Sequence, residues 1–241
     1  MSIHIDRRVV LLRAAALAAA GPLLSDRTAW ALSLGDLTQK DASAGIKAAL
    51  ERGADVAVNL LGRQDGFWGN DKVRIPLPDW IGKAEGGLKL IGRGRDVEDL
   101  KLGINRAAEQ AVPQAKLFLV NAVKSMTLQD AKGILSGGND AVTRFFRDKT
   151  AVPLGEKFLP IVTRVTDRSG LARQYNQLAG QIEQTGLVVL KPEQRRIETY
   201  VTGKALDGLY FMIGEEEKRI RQDPVGTGSA ILRRVFGTLG R

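Results

Sequence analysis

Between Ser125 and Arg147 the chain runs S-M-T-L-Q-D-A-K-G-I-L-S-G-G-N-D-A-V-T-R-F-F-R, a stretch compatible with few folds. The pattern predicts two helices joined by a glycine hinge. Thr127 is placed to cap the first helix, and the Asp130 carboxylate three residues later can reach back to the cap N–H. Ser136-Gly137-Gly138 predicts the end of that helix, because glycine takes the left-handed conformation at little steric cost. Asn139 or Asp140 would cap the next helix, whose Val142, Phe145 and Phe146 form a buried face.

Helical spacing continues on both sides. From Asp41 to Leu61, the residues Ile46, Ala49, Leu50, Ala57, Leu60 and Leu61 recur at three-to-four spacing, and Gly62 closes the segment. Residues 63–78 predict a loop, with turns at Asp65-Gly66 and Gly69-Asn70; Pro76 and Pro78 discourage a central strand. Asp79 opens a short helix through Trp80, Ile81 and Ile91, with Gly92 and Gly94 ending it. A long helical pattern then runs from Asp96 to Met126, which Pro113 must kink or split. Leu154 to Val165 predicts another helix, Leu171 to Ile182 one more. Pro192 opens a long last helix that Asp223-Pro224 stops, before a tail with Ile231, Leu232, Val235 and Phe236. Aromatics are only 5% against 44% hydrophobic residues, so the core is built from Leu, Ile, Val and Ala, which suits helices. The expected architecture is a single irregular all-α domain over residues 32–241.

Residues 1–31 have the form of a cleaved signal peptide. Arg7 and Arg8 precede an apolar run from Val9 to Leu24, and Ala29-Trp30-Ala31 offers a small-x-small cleavage site. The run is too short to anchor in a bilayer. Arg7-Arg8-Val9-Val10-Leu11 resembles a twin-arginine signal, but Asp6 and Arg13 favour the general secretory route. Loss of four basic and two acidic residues lowers the net charge from +9 to +7. The expected location is the periplasm or envelope. A basic surface favours anionic partners such as lipid headgroups or glycans; an exported chain is not expected to meet nucleic acid.

The chain has no cysteine, and its one histidine, His4, lies in the leader. This excludes disulfides, thiolate metal sites, Ser-His-Asp triads and Cys-His pairs from the mature protein. Neither a Ser-x-x-Lys pattern nor a G-x-x-x-x-G-K-[ST] phosphate loop occurs. No cofactor or metal is expected; Asp65, Asn70 and Asp71 lack the spacing of a calcium loop. Thr127 to Phe146 has helix-turn-helix form, yet its second helix puts Phe145 and Phe146 among the base-reading positions.

The remaining reactive groups are carboxylates, amines, guanidiniums and hydroxyls. Asn105, Arg106 and Glu109 share one helix, with Asn105 and Glu109 four apart and so on one face. Asp207 lies about two turns before Glu215, Glu216 and Glu217. Two such acids facing one cleft about 5 to 9.5 Å apart would suit glycan hydrolysis. The alternative is structural pairing, with Glu215–Arg219 and Glu217–Arg221 as helix-surface pairs. Phe67 and Trp68 in the loop either fold onto the core or form an exposed aromatic patch.

Several strings resemble the bacterial family called domain of unknown function 4197: L-G-R-Q-D-G-F-W-G-N (61–70), V-R-I-P-L-P (73–78), N-R-A-A-E (105–109), M-T-L-Q-D-A-K-G-I-L-S-G-G-N-D-A (126–141), Y-V-T-G-K-A-L-D-G-L (200–209) and E-E-E-K-R-I-R-Q-D-P (215–224). Val142 and Phe145 depart from the expected alanine and tyrosine, and Gly226 to Ala230 also departs. The resemblance implies an exported helical protein and assigns no activity. The expected function is non-catalytic binding or support in the cell envelope, through a groove near the glycine hinge and the Phe67-Trp68 loop. Its candidate residues are Phe67, Trp68, Asn105, Arg106, Glu109, Asp130, Asp207, Glu216 and Arg221. A glycan hydrolase and a peripheral binder of anionic membrane are the alternatives.

Overall fold

The computed structural model describes residues 39–90, 92, 94–168, 170–184 and 189–223. The expected leader, Ile91 and the apolar tail lie outside them. Among the described residues, eight α-helices follow in order: α1 (Gln39–Gly62), α2 (Asp79–Leu90), α3 (Gly94–Ala111), α4 (Ala115–Lys124), α5 (Leu128–Ser136), α6 (Ala141–Arg168), α7 (Leu171–Gln184) and α8 (Ile197–Gln222). No strand occurs among the described residues. The fold is all-α, as the periodicity predicts.

The core follows from apolar stripes that meet. α8 lies at the centre and packs most extensively on α6, with α1 and α3 also against it. Val201, Ala205, Leu209 and Ile213 of α8 are buried, as are Phe146, Leu154, Phe158 and Val162 of α6. Pro113 splits the long pattern as expected: α3 ends at Ala111, a 3-10 turn covers Val112–Gln114, and α4 begins at Ala115.

Four local expectations are corrected. The segments beginning at Val142 and Leu154 are one helix, α6, which carries Pro153 and Pro160 inside it. Each proline withholds an N–H from the carbonyl four residues back. Those carbonyls belong to Lys149 and Glu156, both exposed, so water can serve them, and the buried stripe holds the helix together. Gly137 is extended (φ −80°, ψ 164°), not left-handed. Glycine is needed there for space: a Cβ would sit 2.6 Å from the Ala141 Cβ and the Gly133 carbonyl oxygen. Gly94 begins α3, while Gly92, at φ +80°, supplies the left-handed turn between α2 and α3. Pro192 opens only a 3-10 turn, Pro192–Gln194; the last helix starts at Ile197.

The Thr127 cap is as predicted. Thr127 Oγ1 accepts from the Asp130 N–H, and Asp130 Oδ2 accepts from the Thr127 N–H at 2.9 Å. The Thr127 N–H and hydroxyl hold the Asp130 carboxyl below its ordinary value of 3.8. The folded state therefore binds this proton more weakly than the unfolded chain does. The resulting stability is present above pH 3.8 and is lost as pH falls through the lower folded-state value. Chemical denaturation should find Asp130→Asn less stable than wild type at pH 5, with the gap closing by about pH 2.

Two glycines, one on α8 and one facing it, make opposite predictions. A Cβ on Gly208 would lie 2.6 Å from Phe67 Cε1, against a wholly buried ring that has nowhere to move. Gly208→Ala should lower stability by about 2 kcal/mol. Gly53 of α1 lines a small apolar cavity of about 20 Å3, and its Cβ would meet Glu216 Cβ and Ile220 Cδ1 at an ordinary 3.8 Å. Gly53→Ala should raise stability by about 0.5–1 kcal/mol, because helix propensity improves without a clash. Paired denaturation curves check both.

Candidate functional site

The loop at 63–78 is pinned from two helices. Asn105 of α3 is wholly buried and forms a two-way amide pair with the loop: its Oδ1 accepts from the Ile75 N–H at 2.8 Å, and its Nδ2 donates to the Ile75 carbonyl at 2.9 Å. One turn on, the buried Glu109 Oε1 accepts from the N–H groups of Phe67 (3.0 Å) and Trp68 (3.1 Å). Arg106 Nη1 donates to Glu109 Oε2 at 2.6 Å, and Arg106 Nη2 donates to Asp65 Oδ1 at 2.8 Å. Asp65 stands in the left-handed region at φ +63°, so this pair holds a turn that a free chain would visit rarely. From α8, the Tyr200 hydroxyl donates to the Pro76 carbonyl at 2.9 Å. Burial pushes the Tyr200 phenol up to about 12, and the nearby Asp79 charge adds to this.

These contacts explain the sequence strings together. N-R-A-A-E holds D-G-F-W and V-R-I-P-L-P onto α3; the first half of Y-V-T-G-K-A-L-D-G-L holds the prolines, and its second half makes room for Phe67. Phe67 is wholly buried, the core-packed alternative for this aromatic. Trp68 is half-buried, with the Arg74 guanidinium 5.0 Å from its ring centroid.

The second α8 cluster works at the glycine hinge. Glu217 Oε1 accepts from the Val142 N–H (3.1 Å) and Oε2 from the Thr143 N–H (3.2 Å), capping α6 from another helix. The helix start thus finds its carboxylate in tertiary structure, where Asn139 or Asp140 was expected. Asp140 instead pairs with Arg144 at 3.2 Å. Arg221 bridges Glu217 Oε1 (3.0 Å) and the Ile134 carbonyl (3.0 Å) near the end of α5. Glu217–Arg221 forms as predicted; Glu215–Arg219 does not. Glu215 is drawn to Lys72 of the loop at 2.8 Å and Lys218 at 3.1 Å, and Arg219 pairs with the buried Glu216. Asp130 stays within its helix cap, away from both clusters' ligands.

Sequence reasoning missed Glu198, in the first turn of α8. It is buried and accepts from Asn176 Nδ2 at 3.1 Å, while Asn176 Oδ1 accepts from the Ile197 N–H at 3.0 Å. Its position after the Arg195-Arg196 break, at the true helix start, is the only sequence signal for it.

A groove of about 350 Å3 lies between the pinned prolines and α8. Pro76, Pro78 and Asp79 form one side, Lys191 and Gln194 border it, and Thr199, Tyr200, Gly203, Lys204 and Asp207 supply the α8 face. These α8 positions recur at helical spacing, opposite the buried Val201, Ala205 and Leu209. Gly203 has open space beside it and no packing reason to be glycine. Of the sequence-predicted residues, only Asp207 lines this groove, held loosely by Arg147 (3.6 Å) and Lys204 (4.0 Å). Glu109 does not line it, and both Glu109 oxygens are engaged. Phe67, Asn105, Arg106 and Glu109 come together as the loop clamp; Glu216 and Arg221 act elsewhere on α8. No group of three or more acidic or histidine side chains among the described residues could hold a metal ion.

The fold and groove define a class: a single all-α protein whose polar groove is walled by a clamped proline loop. A family model described as "Protein of unknown function (DUF4197)" matches residues 36–237, and the chain belongs to that family. No curated protein and no solved structure matches it.

The clamp predicts a specific loss. Glu109→Ala should lower stability by about 3 kcal/mol, because it leaves two main-chain donors and Arg106 Nη1 without their acceptor. Glu109→Gln should lose less, since its amide oxygen can still accept. Urea denaturation measures both.

Proposed function

We propose that this protein is an exported, non-catalytic binding protein of the bacterial cell envelope, which holds its ligand in the groove between Pro76-Leu77-Pro78 and α8. The observation that carries this reading is the contrast between the acids. The buried Glu109, Glu198, Glu216 and Glu217 are each committed to main-chain or side-chain partners, while the groove presents Asp79, Lys191 and Lys204 toward solvent. Buried acids so engaged serve as struts, whereas accessible charges around a rigid concavity suit recognition. The leader form of residues 1–31 supports export. No described helix is long and apolar enough to cross a membrane.

Two measurements test this. N-terminal sequencing of the chain recovered from the periplasmic fraction should begin at Leu32; an intact Met1 in the cytoplasmic fraction would refute export. Immobilised protein should capture an envelope component that Gly203→Trp fails to capture. This variant fills open space on an exposed helix face and should fold at least as well as wild type, because glycine is the poorer helix former.

A further inference from the structure

We propose that the groove binds a short peptide with free charged ends, its ammonium held by Asp79 and its carboxylate by Lys191. This rests on the reading of the groove as the binding site and adds the ligand's chemistry.

Asp79 comes from the first turn of α2, on the proline side, and Lys191 from the approach to the Pro192 turn. Neither forms an ion pair with another described residue. The other two charges of the groove, Lys204 and Asp207, pair with each other at 4.0 Å. One unpaired acid and one unpaired base bordering the same groove complement a zwitterion. A simple anion would meet Asp79 and Asp207; a simple cation would meet Lys191 and Lys204.

The middle of the groove suits a peptide as well. The exposed Thr199 hydroxyl can serve an amide group, and Gly203 leaves room for a main chain to lie against α8. The volume, about 350 Å3, is at the lower end for small-ligand sites and fits two or three residues. A glycan is a poorer match: the one aromatic ring in the groove, Tyr200, is buried and offers no open face for a sugar. A free peptide carries this chemistry; a stem peptide linked to its wall sugar, whose N-terminal amine is acylated, does not.

The test is calorimetric titration of the full chain with trialanine, its N-acetyl form and its C-terminal amide. Wild type should bind trialanine with a Kd below about 1 mM, and either end block should weaken binding at least about tenfold. Asp79→Asn, which keeps the side chain's size and polarity, should remove the penalty of N-acetylation only. Lys191→Gln should remove the penalty of amidation only. Equal affinity for the blocked peptides, or no heat at about 10 mM trialanine, overturns the proposal. A disaccharide-linked stem peptide, whose N-terminal amine is acylated, serves as a second ligand: it should bind at least about tenfold more weakly than trialanine, and binding as tight as trialanine or tighter overturns the ammonium contact. If no peptide binds but Gly203→Trp still abolishes envelope capture, the peptide inference falls and the binding function stands. If capture is also unaffected, both fall.

Discussion

The Glu109 carboxylate organises this molecule. It is a charge inside the core, which is costly unless every lone pair is used. Here its two oxygens take two main-chain N–H groups and a guanidinium. A loop that would otherwise carry buried, unsatisfied amides can therefore run across α3 and press Phe67 into the core. Arg106 extends the same network to Asp65, and Asn105 repeats the arrangement one turn earlier with an uncharged amide.

The same solution recurs along α8. Glu217 closes the start of α6, Glu198 joins Asn176 beside the start of its own helix, and Arg221 takes a carbonyl near the end of α5. Helix ends leave main-chain groups without intrahelical partners. At the start of α6 those groups lie against α8, with Val142 buried. Side chains from a central helix are then the available partners. A helix rich in acids on its surface in sequence becomes, in the fold, the element that joins three others.

The groove depends on this framework. Its proline wall has no regular secondary structure of its own, and stays in place through the Ile75–Asn105 amide pair and the Tyr200 hydroxyl. A wall held in advance spares a ligand the entropy of ordering it. The clamp and the groove are two sides of one segment: the face of 66–78 turned inward stabilises, and the face turned outward is available for recognition.

Much of the helical architecture was legible in the residues. The spacing of Ile46 to Leu61, of Val97 to Met126 and of Val201 to Ile220 marks the buried stripes, because helix periodicity and burial are both local consequences of side-chain order. Thr127 and Asp130 likewise meet within one turn. The continuity of α6 through Pro153 and Pro160 was not legible, since proline disfavours a helix locally and only packing on α8 outweighs it. Nor was the cap on α6, because Glu217 stands 75 residues from Val142. The groove was the least visible feature: Asp79, Lys191 and Lys204 are unremarkable in order along the chain, and become neighbours only when the clamp brings the prolines against α8. Contacts within a turn follow from spacing, whereas contacts between distant segments follow from which buried polar groups can satisfy one another once the helices pack.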